Sequence, residues 1–167
     1  MIKNGSTAAI FNPLRTSMKT EKKLEKFLKK QIPLLKAMKL EVKEYSGLKL
    51  ALKAPLKPNK NDKNTGFAGS IYTLSVITGW SLLFLKLKEA GLITDIVIHT
   101  MSGTYISPVE ADFYAEVSLP DKLLWENFLQ KVMTGRKAKI PLEIRLISGM
   151  EEKFTLNAHY AAWKKKL

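Results

Sequence analysis

The sequence predicts an α+β domain in which an antiparallel β-sheet wraps around a long central helix. Three observations carry that prediction. Residues 67–85, FAGSIYTLSVITGWSLLFL, hold no charge over nineteen positions. Segments on both sides of this run alternate apolar and polar residues with period 2, as half-buried strands do. Where short turns join these segments, the strands are expected to be antiparallel neighbours. A helix that is apolar nearly all round must be covered on most sides, and a curled sheet is the cover this chain supplies.

The elements follow in order. From Thr20 onward, Leu24, Phe27, Leu28, Ile32, Leu35 and Met38 recur at helical spacing, with lysines opposite them. Thr20 is the expected N-cap, and Pro33 the expected kink or break. Residues 1–19 lack periodicity and read as an N-terminal arm ahead of a single domain at 20–167. Leu48, Leu50, Leu52 and Ala54 then alternate with Lys49, Ala51 and Lys53, a strand entered from Gly47. KPNKNDKN, residues 57–64, is loop chemistry. The uncharged helix that follows is expected to end at Gly91, after Lys86 and Lys88 at the favourable end of its dipole. Its length alone would let it cross a membrane. Ser70, Thr73, Ser75, Thr78 and Ser81, and the lack of a second such run, favour a core helix, so no membrane span is expected.

Residues 95–106 read as a strand whose first half is buried on both faces. The next, 112–119, puts Phe113, Ala115, Val117 and Leu119 on one side. A helix over 120–135 has Pro120 and Asp121 in its first turn and Gly135 beyond its last. Residues 136–147 turn Ala138, Ile140, Leu142, Ile144 and Leu146 inward, with Pro141 in the outward set marking an edge or a bulge. After the Ser148–Gly149 turn, Phe154, Leu156, Ala158 and Tyr160 alternate along a last strand. Helix, strand, long helix, two strands, helix and two strands make up the hotdog arrangement.

At 167 residues the chain can fill one core. Its net charge of +13 is unevenly spread: residues 1–66 hold 16 Lys and Arg against 5 Asp and Glu. Such basicity favours a polyanionic partner: nucleic acid, a membrane surface, or the phosphates of coenzyme A. Lysine outnumbers arginine 25 to 3, and no aromatic residues interleave with the Lys-rich stretches, so specific nucleic-acid binding is not expected. The absence of cysteine excludes disulfides and thiolate chemistry. It also suits a reducing cytoplasm, and the N-terminal stretch lacks a signal-peptide core, so a cytoplasmic location is expected. His99 and His159, without clustered carboxylates, make no metal site by spacing. No metal and no cofactor are expected.

The turn NTGFAGS, residues 64–70, opens onto the uncharged helix. A helix N-terminus carries unpaired N–H donors and partial positive charge, and such a point stabilises an oxyanion developing on a carbonyl. Gly69 would let a substrate approach the backbone closely; the same residue would also serve plain helix packing. Ser70 lacks a nucleophile elbow and a histidine to serve it. The G-x-x-G at 66–69 lacks the Lys-Ser/Thr that follows in a phosphate loop.

APLKPNKNDKNTGFAGSIYTLSVITGW, followed by EAGLITDIVI and TYISPVEADFYAEV, resembles the YiiD C-terminal-type putative thioesterase domain of the hotdog superfamily. Pro55, Leu56, Asn59, Asn61, Thr65, Phe67, Gly69 and Ser70 carry the resemblance. It continues with Gly79, Trp80, Asp95 to Ile98, Tyr105, Pro108, Val109 and Asp112, so that it spans about residues 20–163. Ala68 stands where the family pattern has glycine. The resemblance implies a homodimer or dimer of dimers acting on acyl-CoA or acyl-ACP (acyl-carrier-protein) thioesters at the subunit interface. Amides at the start of the central helix would polarise the carbonyl, and an Asp or Glu would activate water. In that reading Asn61, Asp62, Gly69 and Ser70 are the candidate catalytic residues. Asn59, Thr65, Phe67, Ala68, His99 and Tyr105 are the candidate substrate-binding residues. The base is the gap: no Asp or Glu lies between Ser70 and Lys88, which leaves Asp62, Asp95, Glu110 and Asp112. A catalytically silent module that binds acyl groups or acyl-CoA on the same fold is the alternative. A hotdog dehydratase would need a His-plus-acid pair that this helix lacks.

Overall fold

The computed structural model describes residues 13–166. Its first element, α1 (Pro13–Gln31), buries Leu24 and Leu28 and turns most of its lysines to solvent. Thr20 lies inside this helix rather than capping it, because the helix already starts at Pro13, a residue suited to a first turn. Residues 13–19 of the expected arm are therefore helical, and residues 1–12 lie outside the described residues. Pro33 divides the helical segment, opening a short α2 (Pro33–Ala37) where its missing N–H costs nothing.

Strand β1 (Glu41–Tyr45) pairs antiparallel with β2 (Lys49–Ala54). The periodicity of the sequence does not reveal β1: EVKEY carries three charges, and Tyr45 is its one buried residue. Its hold on the sheet comes from both flanks. On the side away from β2, the Glu25 and Glu21 carboxylates of α1 accept the Val42 and Tyr45 amides at 3.1 and 2.8 Å. Those amides would otherwise be open donors along a sheet edge. Leu48, expected on the inward face, falls in the turn before β2 and is exposed.

The uncharged run forms α3 (Ala68–Glu89). It stops where Gly91 adopts φ +74° and the Leu92 amide reaches back to the Leu87 carbonyl at 3.0 Å. Strands β3 (Thr94–Tyr105) and β4 (Phe113–Ser118) follow, then α4 (Lys122–Met133), β5 (Ala138–Ser148) and β6 (Glu151–Lys164). Asp121 sits just outside α4 as its N-cap, accepting the Leu124 amide at 3.0 Å, and not within the first turn. The six strands make one antiparallel sheet in the order β1-β2-β4-β5-β6-β3, and α3 packs against every strand from β2 to β6. This is the antiparallel sheet around a long helix that the sequence predicts, but β3 and β4, expected as neighbours across their short connection, are apart: β3 pairs with β6, and β4 lies between β2 and β5.

Inside the curl, Leu74, Leu82, Leu83 and Leu87 of α3 are fully buried against Phe113, Ile144, Phe154 and Leu156 of the sheet. Each such leucine contributes about 1.5–3 kcal/mol relative to exposure. The polar side chains of the helix are absorbed locally: Ser75 and Thr78 donate to the carbonyls four residues back, at 2.9 and 2.7 Å. By length and composition α3 could cross a membrane, yet here it is the core of the sheet. Gly79 explains one motif position. The fully buried Tyr160 lies against it and donates to the Val76 carbonyl at 2.8 Å, and a Cβ on Gly79 would run into the Tyr160 hydroxyl.

The first half of β3 is not buried on both faces, as its apolar sequence suggests. Ile96 is buried on one face, but Val97 on the other is 41% exposed; farther along the strand Met101 and Tyr105 are 50% and 47% exposed. Pro141 is explained by the strand pairing. The pairing of β4 with β5 ends at Val117–Ile144, so the stretch holding Pro141 pairs with β6 alone and is locally an edge.

On the sheet, Glu116 bonds Lys49 at 2.7 Å and Arg145 at 2.6 Å. Burial pushes the Glu116 carboxyl up, but the hydrogen bonds and charges of Lys49 and Arg145 outweigh it and hold the carboxyl below its ordinary value. A group whose folded pKa is depressed stabilises the fold above its unfolded pKa and loses that contribution as pH falls through the folded value. Thermal melts of wild type and Glu116→Gln should therefore differ near neutral pH and converge below the ordinary carboxylate range. A Gly79→Ala variant should lose about 1–3 kcal/mol to overpacking against Tyr160, read as a lower urea midpoint at unchanged m-value.

Candidate active site at the start of the central helix

The segment between β2 and α3 is built to present the beginning of α3. Asn59, only 2% exposed, donates through Nδ2 to the Met38 carbonyl at 2.9 Å and the Pro55 carbonyl at 2.8 Å. Its own carbonyl accepts the Phe67 amide at 2.7 Å. One side chain and one peptide thus join the end of α2, the end of β2 and the residue before α3. Asn61 closes the loop on itself: Oδ1 accepts the Lys63 and Thr65 amides at 2.9 and 3.1 Å, while Nδ2 reaches Thr65 Oγ1 at 3.0 Å. The Gly66 amide then donates to the Val109 carbonyl at 2.7 Å. A Cβ on Gly66 would stand 2.9 Å from Val109 Cβ, which explains a glycine there.

Phe67 is the N-cap of α3, with extended backbone and no side-chain hydrogen bond to the helix. The first intrahelical bond at this end runs from the Ile71 amide to the Phe67 carbonyl at 3.0 Å, so the Ala68, Gly69 and Ser70 amides lie ahead of it. These three N–H groups, at the positive end of a 22-residue helix, form an arrangement suited to an anionic oxygen. Phe67 is 53% exposed, and its ring takes the room that Gly69 leaves; a Cβ on Gly69 would strike it. The glycine therefore accommodates the Phe67 ring, and any ligand meets the helix start with that ring as a wall.

Tyr105, at the end of β3, donates to the Ala68 carbonyl at 3.1 Å. Its ring packs 4.7 Å from Phe154 and 6.1 Å from Tyr72, while Tyr72 lies edge-on to Phe154 at 5.1 Å. Burial, then the nearby Tyr72, push the Tyr105 phenol above its ordinary value, so it stays a neutral donor.

Residues 21–164 match the family described as "Putative thioesterase (yiiD_Cterm)". The chain belongs to the YiiD C-terminal family. A putative thioesterase from Shewanella oneidensis is 30% identical, with a TM-score of 0.79 over 87% of this chain and 99% of that one. A protein of unknown function from Chlorobaculum tepidum is 31% identical, with a TM-score of 0.83 over 89% and 97% of the two chains. At 13% identity, mouse thioesterase superfamily member 2 shares the fold, with a TM-score of 0.63 over 85% and 96%.

Within this YiiD C-terminal chain, the structure gathers Asn59, Asn61, Thr65, Phe67, Ala68, Gly69, Ser70 and Tyr105 around one helix end. It does not bring His99 there. His99 is the bulge residue of β3, and its Nε2 lies 2.6 Å from Lys139 Nζ, a side chain that alternates with inward Ala138 and Ile140. None of the four candidate carboxylates hydrogen-bonds to the Ala68, Gly69 or Ser70 amides. Asp62 is exposed in the loop, Glu110 is exposed after Val109, and Asp112 Oδ1 accepts the Leu56 amide at 2.8 Å. Asp95 lies ten residues along β3 from Tyr105, roughly 30 Å at strand rise. Among the described residues, no group of three or more His, Asp or Glu is placed to hold a metal.

Tyr72 and Gly103 escape a reading of motifs, although Tyr72 stands four residues after Ala68, on the same helix face. Gly103 faces it from β3, and a Cβ there would meet the Tyr72 hydroxyl. The buried amide of Asn59 yields a direct test. Asn59→Ala leaves the Met38 and Pro55 carbonyls without their donor, and should lower stability by about 1–3 kcal/mol in urea unfolding.

Proposed function

We propose that this chain hydrolyses acyl thioesters carried by coenzyme A or an acyl carrier protein. The observation that carries the reading is the uncapped start of α3, on a chain of a family described as thioesterases. The amide pocket narrows to Ala68, Gly69 and Ser70, since the Phe67 amide is already given to Asn59. Water adds to the thioester carbonyl, the developing oxyanion is held by those three N–H groups, and the thiolate leaves. Asn61 and Thr65 keep the preceding loop closed, Asn59 keeps it anchored, and Phe67 and Tyr105 flank the acyl thioester. The lysine-rich first 66 residues suit either the phosphates of coenzyme A or an acidic carrier in the cytoplasm.

The reading includes a pair of chains joined along β3. That strand has a free edge and the exposed apolar residues Val97, Met101 and Tyr105, whereas the edge of β1 is closed by Glu21 and Glu25. In light scattering, a Val97→Lys/Met101→Lys variant should have the mass of one chain, and wild type that of two or a multiple of two.

Free-thiol release across a panel of short to long acyl-CoA and acyl-ACP substrates tests the hydrolysis. The expected result is turnover at least tenfold above a Gly69→Trp variant. A wild type no faster than that variant overturns the hydrolytic reading. The lack of an Asp or Glu between Ser70 and Lys88 favours one other reading, a silent acyl-CoA binding module. Calorimetry showing acyl-CoA binding without thiol release would select it.

A further inference from the structure

The hydroxyl of Tyr72, one turn into α3, carries a phenolic proton with no assigned work among the described residues. Tyr105 spends its own proton on the Ala68 carbonyl. Among the described residues, Tyr72 OH has no hydrogen-bond partner. The ring is nonetheless held in one place. It lies edge-on to Phe154 and tilted against Tyr105, and Gly103 opposite it provides a gap that any Cβ would close by running into the hydroxyl. Tyr72 is one helical turn in from Ala68, and its hydroxyl lies against Gly103, two residues along β3 from the Tyr105 that bonds the Ala68 carbonyl. A fixed phenol with an uncommitted proton, packed against the tyrosine that reaches the first turn of α3, is a specific arrangement.

We propose that Tyr72 is the general acid of the thioester cleavage, giving its proton to the departing sulfur. The inference rests on the hydrolytic reading above and adds the missing proton donor to it. The water oxygen bonds to the carbonyl carbon, and the π electrons move to the oxygen held by the amides. When the carbonyl re-forms, the carbon–sulfur bond breaks, and sulfur takes the phenolic proton to leave as a thiol. The phenolate then recovers a proton from the oxygen that entered as water, so acyl thioester and water yield carboxylic acid and thiol. A phenol is suited to this exchange because its ordinary acidity lies within about two units of an alkyl thiol's. Such a match lets the proton move without a large barrier in either direction. A carboxylic acid would be mostly ionised at neutral pH unless burial raised it.

Leaving-group chemistry separates this role from a structural one. Tyr72→Phe keeps the ring and its packing, and removes a hydroxyl that bonds to nothing among the described residues. On an alkyl thioester such as an acyl-CoA, kcat should fall about 100-fold. On the matched S-aryl thioester of 4-nitrothiophenol, whose thiolate leaves without a proton, the loss should be under about fivefold. The slope of log kcat against leaving-thiol pKa should steepen in the variant. Equal losses on both substrates, or no loss on either, overturn the role of Tyr72 while leaving hydrolysis intact. If wild type cleaves neither substrate, the hydrolytic reading fails and the Tyr72 role fails with it.

Discussion

The structure depends on covering a helix that has no polar face. Over most helices a sheet or a second helix meets one stripe, and water meets the rest. Here eleven residues of α3 are buried, among them Ser75, Thr78 and Ser81, so the sheet must reach round it. That requirement accounts for the strong curl, for the pairing order that sends β3 to the far edge, and for the glycine at 79 that lets Tyr160 press against the helix backbone. It also accounts for how the ends of α3 are handled. One end is closed by a glycine in the left-handed region at Gly91, whereas the other has no side-chain cap at Phe67. A helix whose flanks are committed to the core has its termini left for other purposes, and only one of the two is left open.

The residues around that open end divide into those that hold and those that face outward. Asn59, Asn61, Thr65 and Gly66 use their polar groups, or their lack of a side chain, to fix the loop. Phe67, Tyr72 and Tyr105 are the aromatic walls. In the proposed site the asparagines would act by placing amides, and the aromatic residues by shaping what can reach those amides.

Much of the fold was legible from period. β4, β5 and β6 each show clean alternation because one face packs on α3 and the other meets solvent, and their inward residues in the structure are those the pattern selects. The failures have physical causes. β1 lacks alternation because its place is set by hydrogen bonds from Glu21 and Glu25, which no periodicity records. The start of β3 is apolar on both faces although one chain alone does not cover it. Thr20 resembles a cap in a segment whose helix begins earlier, at Pro13. At the site, the helix opening was readable from small residues beside an uncharged run. Whether an asparagine would meet substrate or backbone was not, since the partners of Asn59 at Met38 and Pro55 are distant in sequence or formed by a turn. Tyr72 was hidden for the opposite reason: inside an apolar run, a tyrosine reads as core.

The two margins of the sheet are treated unequally, and this has a consequence for growth. Chains with two open margins can add to each other without end, because every addition exposes a fresh margin like the one just consumed. Here α1 lays its carboxylates along one margin and leaves only the other able to accept a strand. Joining two such margins about a twofold axis uses up both, and the product offers none. The fold thus carries its own stop signal against fibre-like polymerisation, written in two glutamates one helical turn apart.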